Sequence, residues 1–313
     1  MPRAESQARL GAAARLYYEH DLTHQEIANI LGLSRIKVSR MLARAREKGI
    51  VQITVLDDSP LFAVEARALA EKYGLESGHI APNGATDEET RVAVAKVTAH
   101  ALAASIRQGS RVAIALSNSR LRAMTCLESA DLGIDVLPAG GTITGRADGT
   151  SAAELSLLLA QRYGGRSYRL AAPLIAPSAA LAHELLRDPA ISSAFEAIGS
   201  ADLLIGGIGP IAADGGLLGG QLAEPQFEEL RDAGAVGDFC AAYIDHDGNP
   251  VRTPLTERIM SPSIDRLKKI PRRLATAFGA SRFGATETAV RTGIPTILCT
   301  DLTTALRLLE SPE

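Results

Sequence analysis

The chain has 313 residues, 46% hydrophobic and 22% charged, with a formal net charge of −3. That length excludes a single small module and fits two domains, each able to bury a core. The mild charge excludes a uniform polyanion-binding coat. The balance is uneven, however. Residues 1–56 hold nine Lys/Arg and five Asp/Glu, so +4, and the remainder hold twenty-four and thirty-one, so −7. A basic head on an acidic body points to nucleic acid at one end only. Cys126, Cys240 and Cys299 lie far apart with no metal-ligand spacing, as suits free thiols in a reduced cytosol. The first twenty residues carry charges throughout and no apolar run reaches the roughly 20 residues that span a bilayer. The expectation is a cytoplasmic protein with no membrane partner.

In chain order, a helix is expected over 8–19, with Leu10, Ala13, Ala14, Tyr17 and Tyr18 on its buried side. Tyr17 and Tyr18 suit packing or a phosphate contact. The stretch 22–48 follows: LTHQEIANILGLSRIKVSRMLARAREK. Thr23 and Glu26 have capping-box spacing. Ile27, Ala28, Ile30 and Leu31 form one apolar face at helical spacing. Gly32 ends that helix in the left-handed region that glycine adopts most cheaply, and Ser34 caps the next one. The second helix turns Ile36, Val38, Met41, Leu42 and Ala45 inward, and Arg35, Lys37, Ser39, Arg40 and Arg44 outward. Ala28, Gly32 and Val38 are the skeleton of a helix-turn-helix: close approach, turn and filled angle. Arginine reaches guanine bidentately, and lysine and serine hold phosphates. The candidate DNA-binding residues are Thr23, His24, Gln25, Ser34, Arg35, Lys37, Val38, Ser39, Arg40 and Arg44, and the partner is double-stranded operator DNA. The plain alternative is a helical hairpin with a solvated basic face. After Gly49 the alternating run 50–55 reads as a short strand, as in the wing of a winged helix.

Asp57-Asp58-Ser59-Pro60 marks a boundary, dividing a DNA-binding domain over 1–56 from an effector-binding and oligomerisation domain over 57–313. A helix over 61–73 carries Leu61, Val64, Ala68, Leu69 and Tyr73 on one side, to pair two subunits or to dock on its own domain. From residue 78 onward strands and helices alternate. Helices are expected over 92–106, 151–163, 188–197, 286–291 and 301–310. Strands are expected over 111–116, 134–137, 168–172, 201–209, 273–278 and 296–300, with a hairpin over 239–251. This rhythm predicts an α/β fold, a Rossmann-like and mainly parallel sheet covered on both faces.

Ligands of such sheets sit outside the carboxyl ends of the strands. Four loops leave those ends: Ser117-Asn118-Ser119-Arg120, Gly140-Gly141-Thr142, Gly206-Gly207-Ile208-Gly209 and Gly279-Ala280-Ser281-Arg282. Backbone N–H groups, hydroxyls and arginine suit a polyhydroxyl or phosphorylated ligand. The candidate effector-binding residues are Ser117, Ser119, Arg120, Gly140, Gly141, Thr142, Gly207, Gly209, Asp238 and Arg282. The plain alternative is that these glycines only make tight turns. Asp238 either accepts a sugar hydroxyl or caps a loop. Asp245-His246-Asp247-Gly248-Asn249 suits a hairpin tip better than a metal site. There is no catalytic constellation and no nucleotide-hydrolysing Gly-x-x-x-x-Gly-Lys motif, so neither an enzyme nor a cofactor is expected.

Several stretches together resemble the bacterial SorC-type sugar-binding transcriptional regulators. They are Arg15-Leu16-Tyr17-Tyr18-Glu19, Leu33-Ser34-Arg35-Ile36-Lys37-Val38-Ser39-Arg40 and Ala45-Arg46-Glu47-Lys48-Gly49-Ile50-Val51. Farther on they are Ala201-Asp202 with Gly207-Ile208-Gly209, Ala235-Val236-Gly237-Asp238, and residues 290–301. The resemblance covers almost the whole chain. It implies an effector domain akin to sugar-phosphate isomerases and CoA transferases, kept for binding and not for catalysis. It also implies a homodimer or tetramer that releases or rearranges on DNA when a sugar, polyol or sugar phosphate binds. Gly141 and Thr142 match the family's glycine loop, which holds a phosphate in members with phosphorylated effectors, and Asp238 matches an Asp that contacts ligand hydroxyls. Arg282 departs from a usual Lys, Leu116-Ser117-Asn118-Ser119-Arg120 from a usual Gly-rich segment, and Ser151 stands near a usual Asn. Two readings compete with regulation by an effector. One is a sugar-phosphate isomerase with a DNA-binding head, for which only Asp238 and Glu287 stand as general bases. The other is a constitutive repressor whose pocket has lost its ligand.

Overall fold

The first helices begin and end where their caps place them. In the computed structural model α1 spans Gln7–Tyr18, α2 His24–Leu31 and α3 Arg35–Glu47. The structure describes residues 7–51, 61–115, 118–143, 151–212, 218 and 221–312, with 118–121 described by their backbone alone. Two units emerge, Met1–Ser59 and Pro60–Glu313. In the first, Glu26 N–H donates to Thr23 Oγ1 (3.3 Å) and Thr23 N–H to Glu26 Oε2 (2.8 Å), a complete capping box. Gly32 turns the chain at φ 63°, and Ser34 accepts from Lys37 N–H at 3.3 Å. Leu10, Ala13, Ala14, Ile27, Ala28, Val38, Met41, Leu42 and Ala45 close one small core. Ile50 and Val51 pack on its edge. The rest of the expected wing strand, 52–55, lies outside the described residues.

Three residues expected on buried faces are exposed. Ile36 is 67% exposed and Ile30 60% exposed. The buried residues of α3, Val38, Met41, Leu42 and Ala45, follow i, i+3, i+4, i+7. At about 100° per residue Ile36 stands about 200° from Val38, on the opposite side. Tyr18 is likewise exposed, at 37%.

The second unit starts with α4 (Ala63–Tyr73), β1 (Ser77–Ala81), α5 (Asp87–Ser105), β2 (Arg111–Ile114), α6 (Asn118–Cys126), β3 (Asp135–Pro138) and α7 (Ala152–Arg162). It continues through β4 (Arg166–Ser167), α8 (Ala179–Arg187), α9 (Pro189–Gly199), β5 (Leu203–Gly209), α10 (Glu224–Asp232), β6 (Gly237–Phe239) and β7 (Ala242–Ile244). It ends with α11 (Ile264–Leu267), β8 (Arg272–Thr276), α12 (Phe283–Arg291), β9 (Ile297–Asp301) and α13 (Leu302–Glu310). The strand order is β1-β9-β8-β5-β2-β3-β4, parallel at every pairing, and β6 joins β5 antiparallel.

Alternation along the strands explains why both faces are covered. In β2, Val112 and Ile114 enter one core with Leu102, Leu155 and Phe227, while Ala113 and Ala115 enter the other with Leu69, Phe195 and Leu308. Period-2 strands apolar at every position require helices on both sides. On α4 the buried side is Ala66 and Leu69, and Leu61 and Val64 are exposed at 77% and 78%. The apolar stripe expected there is thus split.

Two further expectations shift. The strand expected over 168–172 is instead the two-residue β4. Tyr168 N–H still donates to Val136 O at 2.8 Å. The next bond of that ladder belongs to residue 138, and Pro138 has no N–H to donate. The hairpin tip expected at 245–249 is present: Asp245 Oδ1 accepts from Asp247 N–H (2.9 Å) and Asn249 N–H (2.8 Å). A second turn precedes it, joining β6 to β7 through Cys240 and Ala241 at φ 57° and 65°. Two consecutive left-handed residues are the geometry of a two-residue hairpin connection that normally selects Gly, Asn or Asp.

Candidate functional site

The head presents its basic face on α3. Arg35, Lys37, Ser39, Arg40 and Arg44 are all exposed, as are Thr23, Gln25 and Ser34, with His24 half-buried. Val38 does not belong with them. It is fully buried at 0% exposure, and it fills the angle between α2 and α3. Thr23 and Ser34 use their hydroxyls to cap helices. Ile36, exposed between Arg35 and Lys37, is the member of this face that sequence reasoning missed. Its helical phase relative to Val38 was the available signal.

In the second unit β2 leads on to β3 on one side and β5 to β8 on the other. The topological switch point therefore lies between β2 and β5, and the crevice outside their carboxyl ends is where such folds take ligands. Gly209 pairs with Asp238, and Gly207 pairs with Thr276. Gly206 leaves room for β6: a Cβ there would overlap the Cys240 sulfur and the Phe239 ring. The glycines of β5 thus let the hairpin lie across the strand end and bring Asp238 to the rim.

Asp238 is 4% exposed, and its Oδ2 accepts from Ala241 N–H at 2.8 Å. Loop capping, one of its two expected roles, is therefore present. Cys240 N–H donates to Gly207 O (3.3 Å) and Ser261 Oγ to Cys240 O (2.7 Å), which pins the strained turn. Burial pushes the Tyr243 hydroxyl up, and Asp238 opposite it adds to the shift.

The Gly140-Gly141-Thr142 loop is built differently from a phosphate cradle. Gly141 N–H donates to Met260 O and Thr142 N–H to Ala172 O, both at 2.8 Å. The glycine at 141 serves close approach, because a Cβ there would overlap the Pro173 carbonyl. Gly141→Ala is expected to lower stability by about 1–3 kcal/mol or more, since the obstacle is backbone. A thermal midpoint equal to wild type would contradict this.

Arg282 is half-buried beyond β8. Burial pulls its pKa down, Arg91 adds to that effect and Asp238 opposes it. Its Nη1 reaches Phe278 O at 3.5 Å, and its guanidinium stands 5.6 Å from the Phe278 ring. The loop before it is anchored by Asp301, which is 1% exposed and accepts from Gly279 N–H (3.0 Å), Asn83 Nδ2 (3.0 Å), Thr304 N–H (3.1 Å) and Thr304 Oγ1 (2.6 Å). Burial raises the Asp301 carboxyl, but these hydrogen bonds outweigh it and the pKa lies below the ordinary value of 3.8. A depressed folded pKa gives stability that is present above the unfolded value and lost as pH falls through the folded one. Asp301→Asn is expected to remove about 1–3 kcal/mol at neutral pH. It should also flatten the loss of stability below pH 3.8 in a thermal-unfolding series.

Thr276, at the carboxyl end of β8, was missed by sequence reasoning. It is 6% exposed, and its Oγ1 has no partner among the described residues. A β-branched residue ending an apolar run reads simply as strand, so only the fold reveals it. Ser117 lies outside the described residues, as do the side chains of Ser119 and Arg120.

A basic helix-turn-helix head and a doubly wound domain with a polar rim define a DNA-binding regulator with a metabolite-binding domain. A Crp-like helix-turn-helix domain model matches residues 6–61, and the Sugar-bind model of a sugar-binding domain matches residues 61–310. The transcriptional regulator YjhU of Escherichia coli K12 is 29% identical over 306 residues, covering 95% of this chain and 93% of its own. The deoxyribonucleoside regulator of Bacillus subtilis is 25% identical over 299 residues, covering 95% and 96%. The full-length crystal structure of the sorbitol operon regulator SorC from Klebsiella pneumoniae superposes with a TM-score of 0.77. It is 23% identical and covers 98% of this chain and 100% of that one. The chain belongs to the family of SorC-type sugar-binding transcriptional regulators. These are DNA-binding regulators and not enzymes. No helix among the described residues is long and apolar enough to cross a membrane.

Proposed function

We propose that this cytoplasmic regulator binds a two-fold operator as a homodimer or tetramer, and that a sugar, polyol or sugar phosphate at the carboxyl rim of its sheet controls that binding. The observation that carries the reading is the convergence of Asp238, Thr276 and Arg282 at the ends of β5 and β8. A carboxylate and a buried hydroxyl accept and donate to ligand hydroxyls, and a guanidinium takes any anionic group. An unpartnered buried hydroxyl costs about 1–3 kcal/mol, which a ligand hydroxyl would recover. On the head, Arg35, Lys37, Ser39, Arg40 and Arg44 face the major groove, and exposed Ile36 meets a thymine methyl.

Effector binding changes the spacing of the two heads, with leverage equal to its differential affinity for the two arrangements. The test is fluorescence anisotropy on genomic fragments upstream of the gene and its neighbours, followed by titration with C4 to C6 sugars, polyols and their phosphates. Salt-sensitive binding to one near-palindromic fragment, altered by a compound that also raises the thermal midpoint, is expected. Binding to every fragment alike would overturn the operator reading. A palindrome-specific complex indifferent to every compound would overturn the effector reading.

A further inference from the structure

We propose that α13 is the strut through which the effector rim acts on α4, the element that follows the head in the chain, and that Lys72 makes the joint between them. This rests on the effector reading above and names how that site governs DNA binding. The N-cap of α13 is Asp301, the buried carboxylate that also accepts from Gly279 N–H (3.0 Å) in the loop leading to Arg282. Asn83 locks the same corner. Its Nδ2 donates to Asp301, and its Oδ1 accepts from Thr303 N–H, both at 3.0 Å. The rim loop and the first turn of α13 therefore share their anchors.

Farther along α13, the Arg307 guanidinium lies 3.7 Å from the centre of the Phe283 ring, close enough for a cation–π attraction. Phe283 opens α12 and directly follows Arg282. The helix thus meets the rim loop at both ends of the loop, at Gly279 and beside Arg282.

The other end of α13 is held by α4. Lys72, on the last turn of α4, donates to Leu308 O and Leu309 O, both at 2.9 Å, and to Ser311 O. Tyr73 Oη donates to Leu308 O at 2.7 Å. Among the described residues Lys72 has no carboxylate within ion-pair distance, and the C-terminal carbonyls of α13 supply its counter-charge. Arg67, earlier on α4, instead pairs with Glu71 of its own helix at 2.9 Å. Ala66 and Leu69 of α4 share one core with Ala305 and Leu308 of α13. Apolar packing is non-directional, so the hydrogen bonds of Lys72 and Tyr73 fix the register of one helix on the other. The chain enters α4 at Ala63, just past the boundary between the two units. A rigid element gripped both at the effector rim and at α4 meets the physical requirement for coupling. Displacement of the Gly279–Arg282 loop moves Asp301 and Phe283, and through α13 and Lys72 it moves α4.

The test uses the full chain and two readouts. In hydrogen exchange without ligand, Lys72→Met keeps the stem and removes the donors. It should speed exchange about tenfold in the last turn of α13 and also over 279–286, with β2 and β5 unchanged. Lys72→Arg, which can donate to the same carbonyls, should restore wild-type rates. The second readout is anisotropy on the operator fragment, titrated with ribose, glucose, sorbitol and their phosphates. A probe that weakens wild-type binding by about tenfold or more should change Lys72→Met binding by less than about twofold, while still raising its thermal midpoint. Faster exchange confined to 307–311, or a Lys72→Met protein released by the probe like wild type, would overturn the strut and leave the effector reading standing. If no probe changes wild-type binding, the effector reading falls, and the exchange result alone decides whether Lys72 joins the rim to α4.

Discussion

Replacing Arg40 by alanine is expected to weaken operator binding by about 1–3 kcal/mol per half-site, the usual worth of one bidentate arginine–base contact. In a two-fold complex the loss counts twice, about 2–6 kcal/mol, so the dissociation constant rises by roughly one and a half to four orders of magnitude. Arg40 is exposed on α3 while Val38, two positions earlier, is fully buried. The substitution therefore removes a reader without opening the core of the head. The circular dichroism spectrum and thermal midpoint should stay within error of wild type. Lys37→Ala should behave differently, weakening all DNA sequences alike and lowering the salt slope by about one per subunit. A filter or anisotropy titration in which the Arg40 variant keeps the wild-type ratio of operator to scrambled DNA would remove Arg40 from the reading face.

The second large effect is expected at Asp238, where two roles can be separated. Asparagine keeps an oxygen to accept from Ala241 N–H, so Asp238→Asn preserves the hairpin connection. It removes the charge that ligand hydroxyls would meet and that partly offsets Arg282. The effector concentration that half-releases the operator should rise at least about tenfold, because a hydrogen bond to a charged group is worth about 1.5–3 kcal/mol. Operator affinity without effector should not change. Asp238→Ala loses the connection as well, leaving Ala241 N–H unsatisfied in a turn already held at φ 65°, and should also lower the thermal midpoint. If Asp238→Asn responds to effector like wild type while Asp238→Ala is merely less stable, the residue is only a loop cap.

The head was legible almost residue by residue. Thr23–Glu26, Gly32 and Ser34 act within three or four positions of themselves, and local hydrogen bonding needs no distant partner. The exceptions are Ile36, whose helical phase turns it outward, and Val38, which is fully buried and so belongs to the core and not to the reading face. In the larger unit the existence of most strands was legible from short branched runs. Their ends were not, because a strand stops where its neighbour stops donating, as β4 does beside Pro138. The turn at Cys240–Ala241 carried no signal at all. Neither residue favours positive φ, and the contacts that hold them come from Gly207, Asp238 and Ser261.

Charge asymmetry, capping spacings and helical and strand periods were enough, unaided, to define a basic reading head on an acidic α/β body. All of them are properties of neighbours in the chain. Folding alone settled which rim groups lie near one another. Gly209 meets Asp238, Gly207 meets Thr276, and Arg91 and Arg282 both reach the Phe278 ring, although the chain separates them widely. It also committed the N–H groups of Gly141 and Thr142 to Met260 and Ala172. Side-chain convergence depends on strand order and on where a hairpin crosses a strand end, and neither leaves a local trace in composition or spacing.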